Sequence, residues 1–319
     1  MIPSWLEPEV ERLRAAFVAG RMPHALLIHE APGAGGEYLA YWTAQLVLCS
    51  EPARAPCGVC PACRHVLQRQ HPDLINVTAL GESAQIRIEQ VRELAADLAL
   101  TAHQGGYKVG IVSPADGMNR FAANALLKTL EEPPPATLLV LVSSVPSRLP
   151  ATILSRCQRL RVPAPPRERA VAWLEATRGA GEWAQVLQVL GDAPLLAAAA
   201  DPAALIATAA EMRRELEEFA AGGGDAAASA ERWSRDELPL RLTCFENWLT
   251  DRIRAELAGP AAVAELRASA HSRAVGLTIR EAFELLDAVR ELRSSLDVPL
   301  NRSVALEALL RRLAARRAA

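Results

Sequence analysis

A short apolar run, Leu26-Leu27-Ile28, enters the loop Glu30-Ala-Pro-Gly33-Ala-Gly35-Gly36-Glu37, and apolar residues at helical spacing leave it from Tyr38 to Leu48. That order constrains the chain to a buried strand, a tight glycine turn and a helix, the opening of a βαβ unit. Loops of the pattern G-x-x-x-x-G-K-[ST] in this setting cradle phosphates with backbone N–H groups. The lysine neutralises the terminal phosphates and the hydroxyl holds Mg²⁺. Here Glu30 stands at the opening glycine position, Gly36 at the lysine position and Glu37 at the hydroxyl position. The turn is kept and the phosphate-binding groups are gone. Gly33, Gly35, Gly36 and Glu37 therefore read as a degenerate phosphate loop, and no functional ATP site is expected.

Around this loop, residues 1–162 alternate short apolar strands with helices, the pattern of a parallel sheet covered on both faces. Strands are expected at Ala25 to His29, Leu74 to Thr78, Lys108 to Val112, Thr137 to Val142 and Arg159 to Val162. Helical periodicity appears over Ile88 to Leu100 and Arg120 to Leu130, the second stopped by Pro133-Pro134-Pro135. A proline cluster from Pro163 to Pro166 marks a boundary, and only helical patterns follow it. A small helical unit over 163–206 is predicted with helices at Arg167 to Ala176, Glu182 to Leu190 and Leu195 to Ala200. A helical bundle over 207–319 is predicted with helices at Leu240 to Leu257, Thr278 to Leu296 and Arg302 to Leu313. The stretch Gly222 to Ser229 is expected to be a long interhelical loop, and Arg311-Arg312 with Arg316-Arg317 to suit a helix C-terminus.

Four of the six cysteines are concentrated: Cys49, Cys57, Cys60 and Cys63. Two successive C-x-x-C steps and a fourth thiol just upstream supply a closed tetrahedral set, so one structural Zn²⁺ per chain is expected and no position is left for a catalytic water. Free or redox thiols are the other reading. His65 and His71 flank the cluster, but four thiols already fill the sphere. Cys157 and Cys244 stand alone and read as small buried apolar residues.

A nucleotide-hydrolysing fold of this type needs paired carboxylates after the strand that ends near Val112, and the sequence there supplies Ser113 and Pro114. Asp116 comes three positions late and is expected to cap the next turn. Two vacant stations in one chain make hydrolysis by the chain itself improbable.

The stretches Asn124-Ala-Leu-Leu-Lys128-Thr-Leu-Glu131-Glu132-Pro-Pro and Leu149-Pro-Ala-Thr-Ile-Leu-Ser155-Arg156-Cys157 resemble the clamp-loader branch of the AAA+ ATPases. The resemblance is strong from about residue 20 to 165 and architectural beyond. It implies an α/β AAA+ domain of P-loop type with a zinc-binding insertion, followed by an all-α lid and an all-α collar. It further implies that Arg156, flanked by Ser155 and Cys157, is an arginine finger acting in trans on ATP bound by a neighbouring subunit. By residue type alone Arg156 would be a surface arginine in an ion pair, and Lys128, Glu131 and Glu132 a charged helix face. Related ATPase subunits carry a sensor arginine just after a lid glycine, which Gly191-Asp-Ala-Pro194 lacks. A polar sensor is also expected at the end of a strand, where Ser143 and Ser144 lie. The implied role is a non-hydrolysing stator. Its implied partners are gamma/tau motor subunits, a delta subunit, the beta sliding clamp and primer-template DNA.

Two other classes remain. One is an active ATPase with an atypical loop; the other is a zinc-dependent nucleic-acid-binding module. A formal net charge of −2 argues against the second. No apolar run reaches the roughly 18 residues that span a bilayer, and residues 1–20 lack the basic start and apolar middle of a leader. A cytoplasmic location without membrane contact is expected.

Overall fold

The core of the first unit is built on five parallel strands in the order β2-β3-β4-β1-β5. In this computed structural model the described residues are 2–79, 85–103, 106–258, 277–296 and 300–314. The strands are β1 (Ala25–Glu30), β2 (Leu74–Val77), β3 (Lys108–Val112), β4 (Thr137–Ser143) and β5 (Gln158–Val162). All five expected strands form, each within a residue or two of the predicted bounds.

Buried on both faces, β1, β3 and β4 read as continuous apolar runs because a parallel sheet is covered on each side. The pleat sorts them: Leu26, Ile28, Val140 and Val142 face one core and Leu27, Leu139 and Leu141 the other. β5 lies at the edge, and only Leu160 and Val162 of its five residues are buried. Leu26 of β1 pairs with Val140 of β4 on one side and with Gln158 of β5 on the other.

Helix α1 (Glu7–Val18), helix α2 (Gly36–Leu48) and the short α3 (Pro61–Leu67) contribute to the first face. Helix α4 (Ile88–Ala99) and helix α5 (Arg120–Glu131) cover the second. Asn119 caps α5 by accepting a hydrogen bond from the Ala122 N–H at 2.8 Å. Asp116 caps nothing: it sits inside the single turn Ala115–Gly117, whose N-cap is Pro114, and its Oδ1 has no hydrogen-bond partner. Asn119 took the capping place because it stands directly before the first helical residue. A single turn, α6 (Ala151–Leu154), precedes β5, and α7 (Arg167–Arg178) follows it.

The chain forms two compact units, 1–179 with 192–198, and 180–191 with 199–319. The expected lid segment, 163–206, is thus divided. α7 and most of α9 (Pro194–Ala199) belong to the first unit, while α8 (Trp183–Leu190) belongs to the second.

In the second unit, α8 is joined by α10 (Pro202–Ala220), α11 (Ala226–Arg235), α12 (Leu238–Ala258), α13 (Ile279–Ser294) and α14 (Arg302–Ala314). The second half of the stretch expected to be a long loop, from Ala226 to Ser229, is helix. Asp225 accepts from the N–H groups of Ala227 and Ala228 and starts α11 there, leaving only a short glycine turn before it. Alanine propensity and a good cap outweigh the glycine run. Arg311 and Arg312 lie in the last turn of α14, as the dipole argument expects, and Arg311 pairs with Glu307 at 2.6 Å. Arg316 and Arg317 lie outside the described residues.

Aromatic packing centres this bundle. Trp233 is fully buried, its ring meets Phe245 edge-on at 6.4 Å, and its indole N–H donates to Glu215 at 3.1 Å. Trp233→Ala removes both the packing and the donor, and is expected to lower the stability of this unit by about 3–5 kcal/mol. Urea unfolding followed by circular dichroism measures the loss; a change within about 0.5 kcal/mol, the size of an ordinary surface substitution, would show the core to be elsewhere.

Candidate functional site: a filled phosphate loop, a four-thiol cluster and a held arginine

β1 delivers the glycine loop to the carboxyl end of the sheet. Chain order reverses beside β1, since β2 is reached across β4 and β3 while β5 lies on the opposite side. Crevices at such switch points are where open α/β sheets bind ligands. Gly33 and Gly35 take positive φ angles of 66° and 108°, which a side chain would strain, and Gly35 is the residue from which α2 starts.

Here the loop N–H groups already have an acceptor. The Glu30 carboxylate turns back so that Oε2 accepts from the Gly36 N–H at 2.6 Å and the Gly35 N–H at 3.1 Å. Burial raises the Glu30 pKa, the two N–H bonds oppose the rise, and the nearby Glu37 and Asp116 carboxylates add to it. Glu37 turns to an arginine: it pairs with Arg69 at 2.6 Å, and that guanidinium lies over the Tyr41 ring at 4.7 Å. Tyr41 in turn donates to Asn76 at 2.9 Å.

The loop is also covered. Leu195 N–H donates to the Gly33 carbonyl, and a Cβ built on Gly33 would lie 2.8 Å from that of Ala193. The Trp5 indole donates to the Ala34 carbonyl at 2.8 Å, and Leu6 approaches Gly35 closely. Where related subunits carry a sensor arginine after the lid glycine, this chain lays apolar α9 residues on the loop, and Asp192 pairs with Arg167 at 2.7 Å.

Ser113 and Pro114 follow β3 as expected, and the Ser113 N–H is spent on the Val77 carbonyl. Ser143 ends β4 fully buried, and its hydroxyl accepts from the Val145 N–H at 3.2 Å, so it serves its own turn.

The four clustered thiols converge, each Sγ within 4.8 Å of the others. Cys49 follows α2 directly, and Cys60 caps α3, its sulfur accepting from the Cys63 N–H at 3.3 Å. Further N–H groups point at sulfur: Cys60 to Cys57 at 3.4 Å, Cys57 to Cys49 at 3.5 Å and Glu51 to Cys49 at 3.4 Å. Such donors favour thiolate over thiol. Against the rise that burial imposes, the N–H groups of Cys63 and Ser50 hold Cys60 down to about 6, while burial pushes Cys63 up. The Sγ spacing suits a metal: a tetrahedral ion with bonds of about 2.3 Å sets sulfurs about 3.8 Å apart, and Cys49 and Cys60 lie 3.9 Å apart. The cluster could thus hold one metal ion. Neither histidine joins it. His65 is exposed, and the buried His71 accepts from the Asp73 N–H at 3.1 Å. Gln45, inside α2, donates to the Cys63 carbonyl at 3.0 Å and docks the cluster on that helix.

Arg156 occupies the turn between α6 and β5. Its guanidinium donates to the Thr152 carbonyl at 3.0 Å and to the Ser155 hydroxyl at 3.3 Å, and pairs with Glu131 at 2.8 Å. The ion-pair reading by residue type is therefore realised within the subunit. The arginine side chain is still 35% exposed and Glu131 50% exposed. Ser155 is surface-exposed, whereas Cys157 is buried in the second-face core. Lys128 and Glu132 are exposed on α5 and the turn after it.

A five-stranded parallel sheet carrying a strand–glycine-loop–helix unit, its loop N–H groups held by the chain's own Glu30, defines an α/β module of P-loop type. A family profile described as "DNA polymerase III, delta subunit" matches residues 6–166. The chain is 36% identical over 239 residues to the DNA polymerase III subunit delta' of Pseudomonas aeruginosa, covering 73% of each. It is 40% identical over 171 residues to the delta' subunit of Escherichia coli, covering 53% of this chain and 51% of that one. Among solved structures, a DNA polymerase III gamma-subunit-related protein from Thermotoga maritima superposes with a TM-score of 0.54 at 18% identity, over 96% of this chain and 99% of that one. This chain belongs to the family of DNA polymerase III delta' subunits.

Cys157 and Cys244 are both pushed up to about 11, chiefly by burial. At pH 8 a thiol of that kind is thiolate to about one part in a thousand, so alkylation of the native chain should leave both unlabelled and label them only on unfolding. Peptide mass spectrometry reads this out; fast native labelling of either would place it at the surface.

Proposed function

We propose that this chain is the non-hydrolysing stator of a clamp loader, presenting Arg156 to ATP held by an adjacent motor subunit of the gamma/tau kind. The carrying observation is the pairing of a phosphate loop filled by the chain's own Glu30 with a half-exposed Arg156 in the Ser155-Arg156-Cys157 turn. An exposed ion pair such as Arg156–Glu131 is worth under about 1 kcal/mol. A neighbour's γ-phosphate, accepting two charge-assisted bonds from the guanidinium, can outcompete it. Glu131 then serves as the resting place of the finger.

The rest of the reading follows the family. Residues 1–162 form the AAA+ domain and 207–319 a collar that joins the other subunits, with 163–206 as a lid segment whose helices are shared between the two compact units. Delta is the other neighbour, and the assembly loads the beta sliding clamp onto primer-template DNA in the cytoplasm. On its own the chain catalyses nothing; it is an accessory part of the polymerase holoenzyme. Cys49, Cys57, Cys60 and Cys63 hold one structural Zn²⁺, four thiolates leaving no open position.

Reconstitution with motor and delta subunits tests the finger. Arg156→Ala should fold and assemble but slow hydrolysis at the one site it faces by on the order of a thousandfold, seen as the loss of that site's share of DNA-stimulated turnover. Unchanged turnover refutes the assignment, and ATP turnover by the isolated chain refutes the stator reading. Metal analysis after chelator-free purification should find about one zinc per chain, and Cys60→Ser should lose it with a lower Tm. A metal-free native chain of undiminished stability would reject the zinc.

A further inference from the structure

We propose that Glu30 is the residue that bars phosphate from this subunit, its carboxylate taking the place in the loop that a nucleotide's phosphate would need. The inference deepens the stator reading and rests on it. Missing lysine and hydroxyl groups explain weak affinity; Glu30 adds active exclusion.

Three observations carry it. First, the two N–H groups that begin α2 are both committed to Glu30 Oε2, so an incoming phosphate oxygen must displace a covalently tethered anion. Second, Glu30 stands at the opening position of the loop motif, where glycine has no side chain to fold back. Third, a Cβ added at Gly36 would lie 2.9 Å from each of Glu30 Cβ, Cδ and Oε2. A lysine at position 36 and this Glu30 rotamer therefore exclude each other. The charges in reach of Glu30 do not favour phosphate either. Glu37 and Asp116 are close enough to raise its pKa, and the cation beside Glu37, Arg69, is paired with that carboxylate.

A simple capping role for Glu30 is the competing account, because a carboxylate at a helix N-terminus stabilises that helix. The two accounts separate in a double-mutant cycle on the full-length chain, with inorganic pyrophosphate as the probe and both melting temperature and calorimetric binding as readouts. Under exclusion, wild type and Glu30→Gln, which keeps an oxygen in the cradle, do not respond to millimolar pyrophosphate. Glu30→Gly responds with an affinity on the order of millimolar and a Tm rise of about one degree at a concentration equal to that affinity. Gly36→Lys alone is destabilised, and Glu30→Gly/Gly36→Lys is more stable than the sum of the single effects and binds pyrophosphate at least tenfold more tightly than Glu30→Gly. Purely additive destabilisation, with no pyrophosphate response from Glu30→Gly or from the double variant, overturns the exclusion role and leaves the stator reading standing. Pyrophosphate or ATP binding by the wild-type chain overturns both. Should the double variant fail to fold, Glu30→Gly against Glu30→Gln decides alone: a response from the glycine variant only supports exclusion, and silence or equal response from both ends it.

Discussion

The N–H groups at the start of α2 need an acceptor, and in this chain a carboxylate four bonds from its own backbone supplies it. Backbone donors at a helix start attract anions whatever their source. By meeting that need internally, Glu30 lets the strand–loop–helix unit hold its shape with no nucleotide present. The neighbouring features fall into line with it. Gly36 must stay without a side chain, Glu37 turns to Arg69, and apolar residues of α9 settle on the loop.

Much of this architecture was legible in the sequence because a doubly covered parallel sheet writes its strands as unbroken apolar runs. Each of the five runs became a strand, and even the edge position of β5 shows in its polar alternation. The four-thiol cluster was legible too, since C-x-x-C spacing is a local geometric rule. What escaped depended on rotamers or on long-range contact. That Glu30 folds back, rather than merely standing where glycine should, cannot be read from spacing, although a carboxylate at that position was the available hint. Arg69 reaching Glu37 across 32 positions left no pattern at all. The glycine run at Gly222 misled for a different reason: it outweighed the Asp225 cap and the alanines behind it.

At Arg156 the ion-pair reading is realised, and the proposed finger is compatible with it. As a side chain it does what an arginine near a glutamate usually does, and its partners Thr152, Ser155 and Glu131 all lie in its own subunit. It lies in the turn between a single helical turn and an edge strand, with about a third of its side chain exposed. A cation meant for a neighbour has to be ordered enough to aim and weakly enough held to leave. The exposed pair meets both conditions.

Helix α2 joins the two ends of this story. Its first residue closes the carboxylate-filled loop, its last is followed by Cys49, and Gln45 ties its final turn to Cys63. Thirteen residues make a rod of about 20 Å, anchored at each end by groups belonging to the chain itself. Both of its ends are tied by side chains of this chain. In the clamp loader proposed above, such a helix would behave as a datum, a part whose place is set from inside its own subunit.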